Sequence, residues 1–161
     1  MATSLSNLSA YNSQSVPDGT SFVIHLVVSQ WNDRITSALK EGAIDSLLKH
    51  KVKKVNIKVW NVPGSFELIY GSKKAQSSNP DAVIAIGSLI QGQTKHFDFV
   101  CEAVSQGIKD LNLESEVPVI FCVLTDNTLE QAQERSGGKH GNKGVEAAIS
   151  ALQMISLRHT H

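Results

Sequence analysis

A run of small and branched apolar residues, Ala82-Val83-Ile84-Ala85-Ile86, leads directly into Gly87-Ser88-Leu89-Ile90-Gln91-Gly92-Gln93-Thr94-Lys95-His96. The first run is apolar throughout, which is typical of a short strand that is covered on both faces. The second run carries two glycines and a threonine ahead of a helical pattern. It therefore predicts a loop over residues 87–93 and a helix over residues 94–110. A buried strand that leads through a loop into a helix is the unit from which parallel α/β sheets are built.

The same unit recurs on both sides of this stretch. Strands are predicted over residues 22–29, 55–59, 82–86 and 119–124, and helices over residues 34–48, 65–77, 94–110, 127–135 and 142–157. Asp33 is in a position to cap the first helix, and Ser65 the second. Alternating strands and helices predict an α/β fold, a three-layer sandwich in which a four-stranded parallel sheet carries helices on both faces, comparable to a flavodoxin-like layout.

Length and composition limit the classes of protein that fit. The 161 residues suffice for one domain, predicted over residues 21–161, after a Ser- and Asn-rich flexible arm over residues 1–20. Fifteen basic and fifteen acidic residues leave no net charge, which argues against a nucleic-acid partner. The absence of a long apolar run and of a secretory signal argues against a membrane partner. Cys101 and Cys122 lack metal-site spacing and predict reduced, buried thiols in the cytoplasm.

Chemically interesting side chains follow the predicted strands. Ligands of parallel α/β sheets bind beyond the carboxyl ends of the strands. Trp31 follows the first strand and can stack on a planar heterocycle, or it can act as a hydrophobic lid. Glu67 follows the second strand and can accept hydrogen bonds from a polyol, or it can simply favour the start of a helix.

The loop after the third strand is a candidate anion site. Backbone N–H groups at a helix start, together with the Thr94 hydroxyl, can hold an anion, although Thr94 could also be a plain helix cap. His96 is a candidate proton carrier at the same helix start, or a solvated histidine. Arg135 and Lys143 either complement helix ends or contact a phosphate, in this subunit or a neighbouring one. The histidine spacing predicts no metal site.

Taken in order, the motifs resemble those of the 6,7-dimethyl-8-ribityllumazine synthase family. The resemblance rests on Trp31-Asn32, Val62-Pro63-Gly64-Ser65-Phe66-Glu67-Leu68, Gly92-Gln93-Thr94-Lys95-His96-Phe97, Pro118-Val119-Ile120-Phe121, Glu130-Gln131-Ala132 and Gly141-Asn142-Lys143-Gly144. It implies an enzyme that joins 5-amino-6-(D-ribitylamino)uracil to 3,4-dihydroxy-2-butanone 4-phosphate, without a cofactor or metal. The products are 6,7-dimethyl-8-ribityllumazine, phosphate and water, on the route to riboflavin.

The resemblance also implies a role for each matching residue. His96 would carry protons, and the substrate-binding residues would be Trp31, Ser65, Phe66, Glu67, Ser88, Leu89, Ile90, Gln93, Thr94, Phe121, Arg135 and Lys143. Within that set Trp31 would stack on the pyrimidine, Glu67 would take ribityl hydroxyls, and Arg135 would be the cation for the phosphate. Phe121 would come from an adjacent subunit. Gln91, Ile69 and Cys122 depart from the common family residues, and the departure at Gln91 removes one positive charge near the phosphate.

Assembly is implied by the same resemblance. The family forms homo-oligomers, namely pentamers with sites between subunits, and in some members twelve pentamers form a hollow shell. The short loop over residues 136–143 favours a shell here, and riboflavin synthase is a candidate partner. Two other interpretations stay open at this point: a catalytically inactive relative that binds ribityl heterocycles or serves as a container, and an FMN-binding electron carrier.

Overall fold

The computed structural model describes residues 7–160, and its elements alternate between strands and helices. They are β1 (Ile24–Ser29), α1 (Asp33–Lys49), β2 (Ile57–Val62), α2 (Leu68–Gln76), β3 (Ala82–Ile90), α3 (His96–Glu114), β4 (Val119–Asp126), α4 (Leu129–Arg135), β5 (Ser136–Gly138), β6 (Gly141–Asn142) and α5 (Lys143–Arg158). Short 3₁₀ turns lie at Ser13–Ser15 and Lys54–Asn56. None of the helices described here combines the length and apolar character that a membrane span requires.

The four longest strands form one parallel sheet in the order β2-β1-β3-β4. The central strand β3 pairs with β1 through Ile24↔Ala82 and with β4 through Val83↔Val119. One apolar core, shared with α1, α4 and α5, covers one face of the sheet, and a second core, shared with α2 and α3, covers the other. The α/β fold with helices on both faces of a four-stranded parallel sheet is therefore confirmed.

Burial explains why the sequence patterns of the strands differ. All six residues of β1 are buried, because this strand has a neighbour on each side and helices on both faces. β2 lies at one edge of the sheet and is largely exposed, in agreement with its polar alternation. In α1, Ile35, Leu39, Ala43 and Leu47 repeat every four residues and are all buried, so they form the face that packs on the sheet.

The structure corrects the loop that the sequence predicts over residues 87–93. β3 continues through Gly87–Ile90, which pair with Val123–Asp126, so the loop begins only at Gln91. Gly87 is therefore a strand residue. A Cβ at Gly87 would lie 2.8 Å from the Ser65 hydroxyl and 2.8 Å from the Leu68 side chain. The glycine serves close packing, whereas the sequence pattern suggested a turn.

The starts of α1, α2 and α3 also differ from the sequence predictions. α2 begins at Leu68, because residues 65–67 form a turn in which the Leu68 N–H donates to the Ser65 carbonyl at 3.2 Å. α3 begins at His96, two residues after the predicted start, and continues to Glu114. Asp33 is the first residue of α1, and Asn32 occupies the cap position with a left-handed backbone (φ 58°). The predicted cap at Asp33 is wrong.

The glycine-rich segment after α4 is a small hairpin. β5 pairs antiparallel with β6, with Gly137 and Gly141 both at positive φ (123° and 82°). The sequence predicts only a break between helices there. After the hairpin, the Asn142 side chain accepts from the Gly144 N–H at 2.8 Å and thereby caps α5.

The flexible arm over residues 1–20 stays a prediction. Residues 1–6 lie outside the described residues, and residues 7–20 follow the surface of their own chain. The Leu8 N–H donates to the His140 carbonyl at 2.8 Å, and the Asn142 N–H donates to the Ser9 hydroxyl at 2.9 Å. Near the end of α1 the Tyr11 hydroxyl lies 3.2 Å from Nε2 of His50.

Close contact between α5 and α1 gives a test of the fold. A Cβ at Gly144 would overlap the Leu39 carbonyl oxygen, which is backbone and cannot turn away. We expect Gly144→Ala to lower the free energy of unfolding by about 1–3 kcal/mol. Gly92→Ala is the control, because a Cβ there meets nothing within 4 Å. The measurement is thermal unfolding followed by circular dichroism; equal midpoints for the two variants would rule out this helix contact.

Candidate active site

The larger of two cavities, called here the His96 cavity, lies beyond the carboxyl ends of β1, β2 and β3 and has a volume of about 1070 Å³. The first turns of α3 form one of its walls. Its lining residues are Trp31, Asn32, Gly64, Ser65, Phe66, Glu67, Ser88, Leu89, Ile90, Gly92, Thr94, His96, Phe97, Phe99, Val100 and Ala103. The indole, the imidazole and the threonine hydroxyl that the sequence singled out therefore open onto one space.

The loop after β1 fixes Trp31 at the mouth of this cavity. The Trp31 N–H donates to the Pro63 carbonyl at 3.1 Å, and the Asn32 side-chain amide donates to the Ser88 carbonyl at 3.0 Å. The left-handed backbone of Asn32 turns the chain sharply between β1 and α1. The Trp31 side chain remains 71% exposed, so its ring is free to stack on a ligand.

Unpartnered hydroxyl groups lie at the base of the cavity. Ser65 and Ser88 are both buried, and neither hydroxyl has a hydrogen-bond partner within residues 7–160. Both hydroxyl oxygens are themselves buried, so a ligand in the cavity does not reach them in this structure. Glu67 lies close by: a Cβ at Gly64 would be 2.9 Å from its Oε2, so the glycine leaves room for the carboxylate.

Thr94 and His96 meet at the start of α3. The His96 N–H lies 3.4 Å from the Thr94 hydroxyl, which is positioned to accept from it. The cap position of α3 belongs to Lys95, whose side chain makes no capping bond, so Thr94 precedes the cap. Both side chains are exposed to the cavity, where the positive end of the helix dipole favours an anion. Gln93 is exposed and does not line this cavity.

A second cavity, called here the Arg135 cavity, lies at the end of the edge strand β4 and has a volume of about 580 Å³. Its lining residues are Leu8, Phe121, Val123, Leu124, Thr125, Asp126, Asn127, Gln131, Glu134, Arg135, His140 and Lys143. The two cavities share no lining residue. Phe121, Arg135 and Lys143 are thus grouped together but separated from Trp31 and His96 within this chain.

Ion pairs order the charges of the Arg135 cavity. Nε of Arg135 lies 3.5 Å from Oδ1 of Asp126, and Nζ of Lys143 donates to Oε1 of Glu146 at 2.7 Å. Burial raises the pKa of the Asp126 carboxyl, and the Arg135 guanidinium opposes that shift.

Cys122 is fully buried, and desolvation raises the pKa of its thiol to about 12. A thiol with this pKa is inert at neutral pH.

Several lining residues were not predicted as site residues from the sequence. In the His96 cavity these include the apolar side chains Phe99, Val100 and Ala103, all of α3. In the Arg135 cavity they include Asp126, Glu134 and His140. For α3, helical spacing from His96 is the sequence signal that could have found them, since residues three and four apart share a face.

Comparison with known proteins gives a family match for nearly the whole chain. Residues 21–159 match the family model described as 6,7-dimethyl-8-ribityllumazine synthase. The chain belongs to this family. The resemblance inferred from the six sequence motifs is thereby confirmed.

Curated relatives bear the same name. The chain is 58% identical over 160 residues to the 6,7-dimethyl-8-ribityllumazine synthase of Christiangramia forsetii, covering 98% of this chain and 95% of the relative. It is 58% identical to that of Flavobacterium johnsoniae (98% and 84% covered) and 54% identical to that of Porphyromonas gingivalis (98% and 98% covered). The similarity therefore spans nearly the whole length of each protein.

Proposed function

We propose that this chain is a cofactor-independent transferase of riboflavin biosynthesis. It condenses 5-amino-6-(D-ribitylamino)uracil with 3,4-dihydroxy-2-butanone 4-phosphate and forms 6,7-dimethyl-8-ribityllumazine, phosphate and water. The observation that carries the proposal is the convergence of Trp31, Thr94 and His96 on one cavity in a chain of this family. Residues 21–161 form the catalytic domain.

The ribitylaminouracil binds in the His96 cavity. Trp31 stacks on its ring, while the backbone of Ser88, Leu89 and Ile90 contacts its polar edge. The ribityl chain extends toward the turn formed by Ser65, Phe66 and Glu67, where the Glu67 carboxylate accepts hydroxyl hydrogen bonds. The exposed indole and the Glu67 carboxylate support this arrangement, because both residues line one cavity and offer an apolar face and a polar contact.

The phosphate of the second substrate binds at the start of α3. Gln93 and Thr94 hold it from one side, and Arg135 and Lys143 supply positive charge from the other. Arg135 suits this role because its guanidinium can contact two phosphate oxygens at once. Lys143 contributes less, since its ammonium group is already paired with Glu146.

His96 moves the protons that each stage of the reaction requires. The amine attacks the ketone and water leaves, which gives an imine. Phosphate is then eliminated, the resulting enol tautomerises, and the ribitylamino nitrogen closes the ring with loss of a second water. Positioning of the two substrates supplies much of the rate enhancement. A neutral imidazole can accept and return a proton near neutral pH.

A site built from two subunits explains the separation of the two cavities. Phe121, Arg135 and Lys143 of one protomer approach the His96 cavity of the next, so the functional unit is a homo-oligomer. We propose a pentamer, and a shell of twelve pentamers because the segment over residues 136–143 is short. The assembly works in the cytoplasm, with riboflavin synthase as its partner.

A direct assay tests the proposed activity. Purified protein is incubated with both substrates, and lumazine fluorescence is followed against the uncatalysed background. Product formation above that background supports the synthase. Its absence would favour the inactive relative, and a yellow protein with a reducible bound flavin would favour the electron carrier.

His96→Ala tests the proton carrier. We expect turnover to fall about ten- to a thousandfold, because substrate positioning survives while general acid–base catalysis is lost. His159→Ala is the control, since His159 is exposed just after α5 and lines neither cavity. Single-turnover rates at saturating substrates are compared, and an unchanged rate in His96→Ala would remove this residue from the mechanism.

Arg135→Ala tests the phosphate contact. We expect the KM of the phosphorylated substrate to rise about tenfold or more, because a charged hydrogen-bonding partner is lost. The KM of the ribitylaminouracil should stay near that of the unsubstituted protein. Steady-state kinetics with each substrate varied in turn provide the measurement. If the KM of the pyrimidine alone changes, the assignment of Arg135 to the phosphate is wrong.

A further inference from the structure

We propose that Asp126 is a positioning residue for this reaction: its carboxylate holds Nε of Arg135, so that the outer nitrogens of the guanidinium face the phosphate of the second substrate. This inference rests on the proposed function, which makes Arg135 the cation for that phosphate. Asp126 itself contacts no substrate in this account.

The backbone fixes the Asp126 carboxylate in place. Asp126 is the last residue of β4, pairs with Ile90 in the sheet, and accepts at its carbonyl from the Gln91 N–H at 2.9 Å. Its side chain is only 7% exposed. A carboxylate carried on a paired strand is a more rigid anchor than one carried on a loop.

The contact with Arg135 involves one side of the guanidinium only. Nε of Arg135 lies 3.5 Å from Oδ1 of Asp126, and the arginine side chain is one-third exposed. Arginine carries five N–H donors in a rigid plane, so engagement of Nε leaves both outer nitrogens for a second anion. Such a fork matches two oxygens of a phosphate. The buried carboxylate therefore sets the direction in which the exposed part of the guanidinium points.

The other carboxylate oxygen argues against a purely structural role. Oδ2 of Asp126 is buried and has no hydrogen-bond partner within residues 7–160. A carboxylate kept only for stability would normally have both oxygens satisfied. Burial also raises the pKa of Asp126, which shows that the folded chain disfavours this charge. Orientation of Arg135 gives a reason for the sequence to keep an acid in an unfavourable environment.

Two effects of Asp126 on a bound phosphate have opposite signs. As a positioning group it strengthens phosphate binding through Arg135, whereas its own negative charge repels the phosphate. Removal of the side chain therefore separates the two explanations. If positioning dominates, the affinity for phosphate falls; if repulsion dominates, the affinity rises.

The test compares Asp126→Ala with Asp126→Asn in the assembled protein. We expect Asp126→Ala to raise the KM of the phosphorylated substrate and the inhibition constant of inorganic phosphate about tenfold, since the guanidinium loses its anchor. Asp126→Asn should stay within about threefold, because it keeps an oxygen at the position from which Oδ1 contacts Nε. The KM of the ribitylaminouracil should not change. Asp110→Ala, at an exposed aspartate paired with Lys109, is the matched control and should change neither constant.

A double substitution shows whether Asp126 acts through Arg135. In an Arg135→Ala background we expect Asp126→Ala to raise neither constant further, because the group that it positions is absent. Asp126→Ser, whose hydroxyl is too short to reach Nε, replaces Asp126→Ala if that variant does not assemble. We expect Asp126→Ser to raise both constants about tenfold as well.

Three results would overturn the proposal. The first is an unchanged or lowered KM of the phosphorylated substrate in Asp126→Ala or Asp126→Ser. The second is a further increase of that KM when Asp126→Ala is added to Arg135→Ala, and the third is an increase in Asp126→Asn as large as that in Asp126→Ala. Unsubstituted protein that forms no lumazine would overturn the proposed function as well. If the unsubstituted protein is active and neither constant changes in any Asp126 variant, only this inference is overturned.

Discussion

Parallel pairing of β3 with both of its neighbours is the constraint on which the rest of the structure depends. β3 is held between β1 and β4 in a register fixed by Ile24↔Ala82 and Val83↔Val119. Because all four strands run in the same direction, their carboxyl ends lie at one edge of the sheet. The same pairing that buries the apolar core therefore gathers the loops of the His96 cavity and sets Asp126 beside Arg135. A shift of one residue would turn each strand's buried side chains to the opposite face.

The number and type of the main elements could be predicted because they follow from local patterns. Apolar runs predict the four parallel strands, and four-residue spacing predicts α1. The end of β3 could not be predicted, since Gly87 reads as a turn residue and its strand conformation depends on β4, more than thirty residues later in the chain. The starts of α2 and α3 depend on turns at residues 65–67 and 91–95. The β5–β6 hairpin contains too few side chains to produce a periodic pattern.

Part of the candidate site could likewise be predicted from the sequence, and part of it could not. Trp31, Glu67 and His96 could be placed together from the sequence because each follows a strand of one parallel sheet. The isolation of Arg135 in a separate cavity could not be foreseen, since it depends on β4 being an edge strand. Asp126 carries no sequence signal that separates a buried carboxylate from an ordinary turn aspartate. Its role emerges only from its burial, its free oxygen and its distance to Arg135.

The central claim is that the His96 cavity of one protomer and the Arg135 cavity of another form one active site. It is tested most directly by mixing His96→Ala and Arg135→Ala protomers in equal amounts during refolding. Lumazine formation is then measured at a low concentration of the phosphorylated substrate and compared with the residual activity of each variant alone. If each site is built from two protomers, random mixing gives about a quarter of the sites both an intact His96 and an intact Arg135. Activity then returns to about a quarter of that of the unsubstituted protein. If mixing restores no activity, both residues serve the same protomer and the claim is wrong.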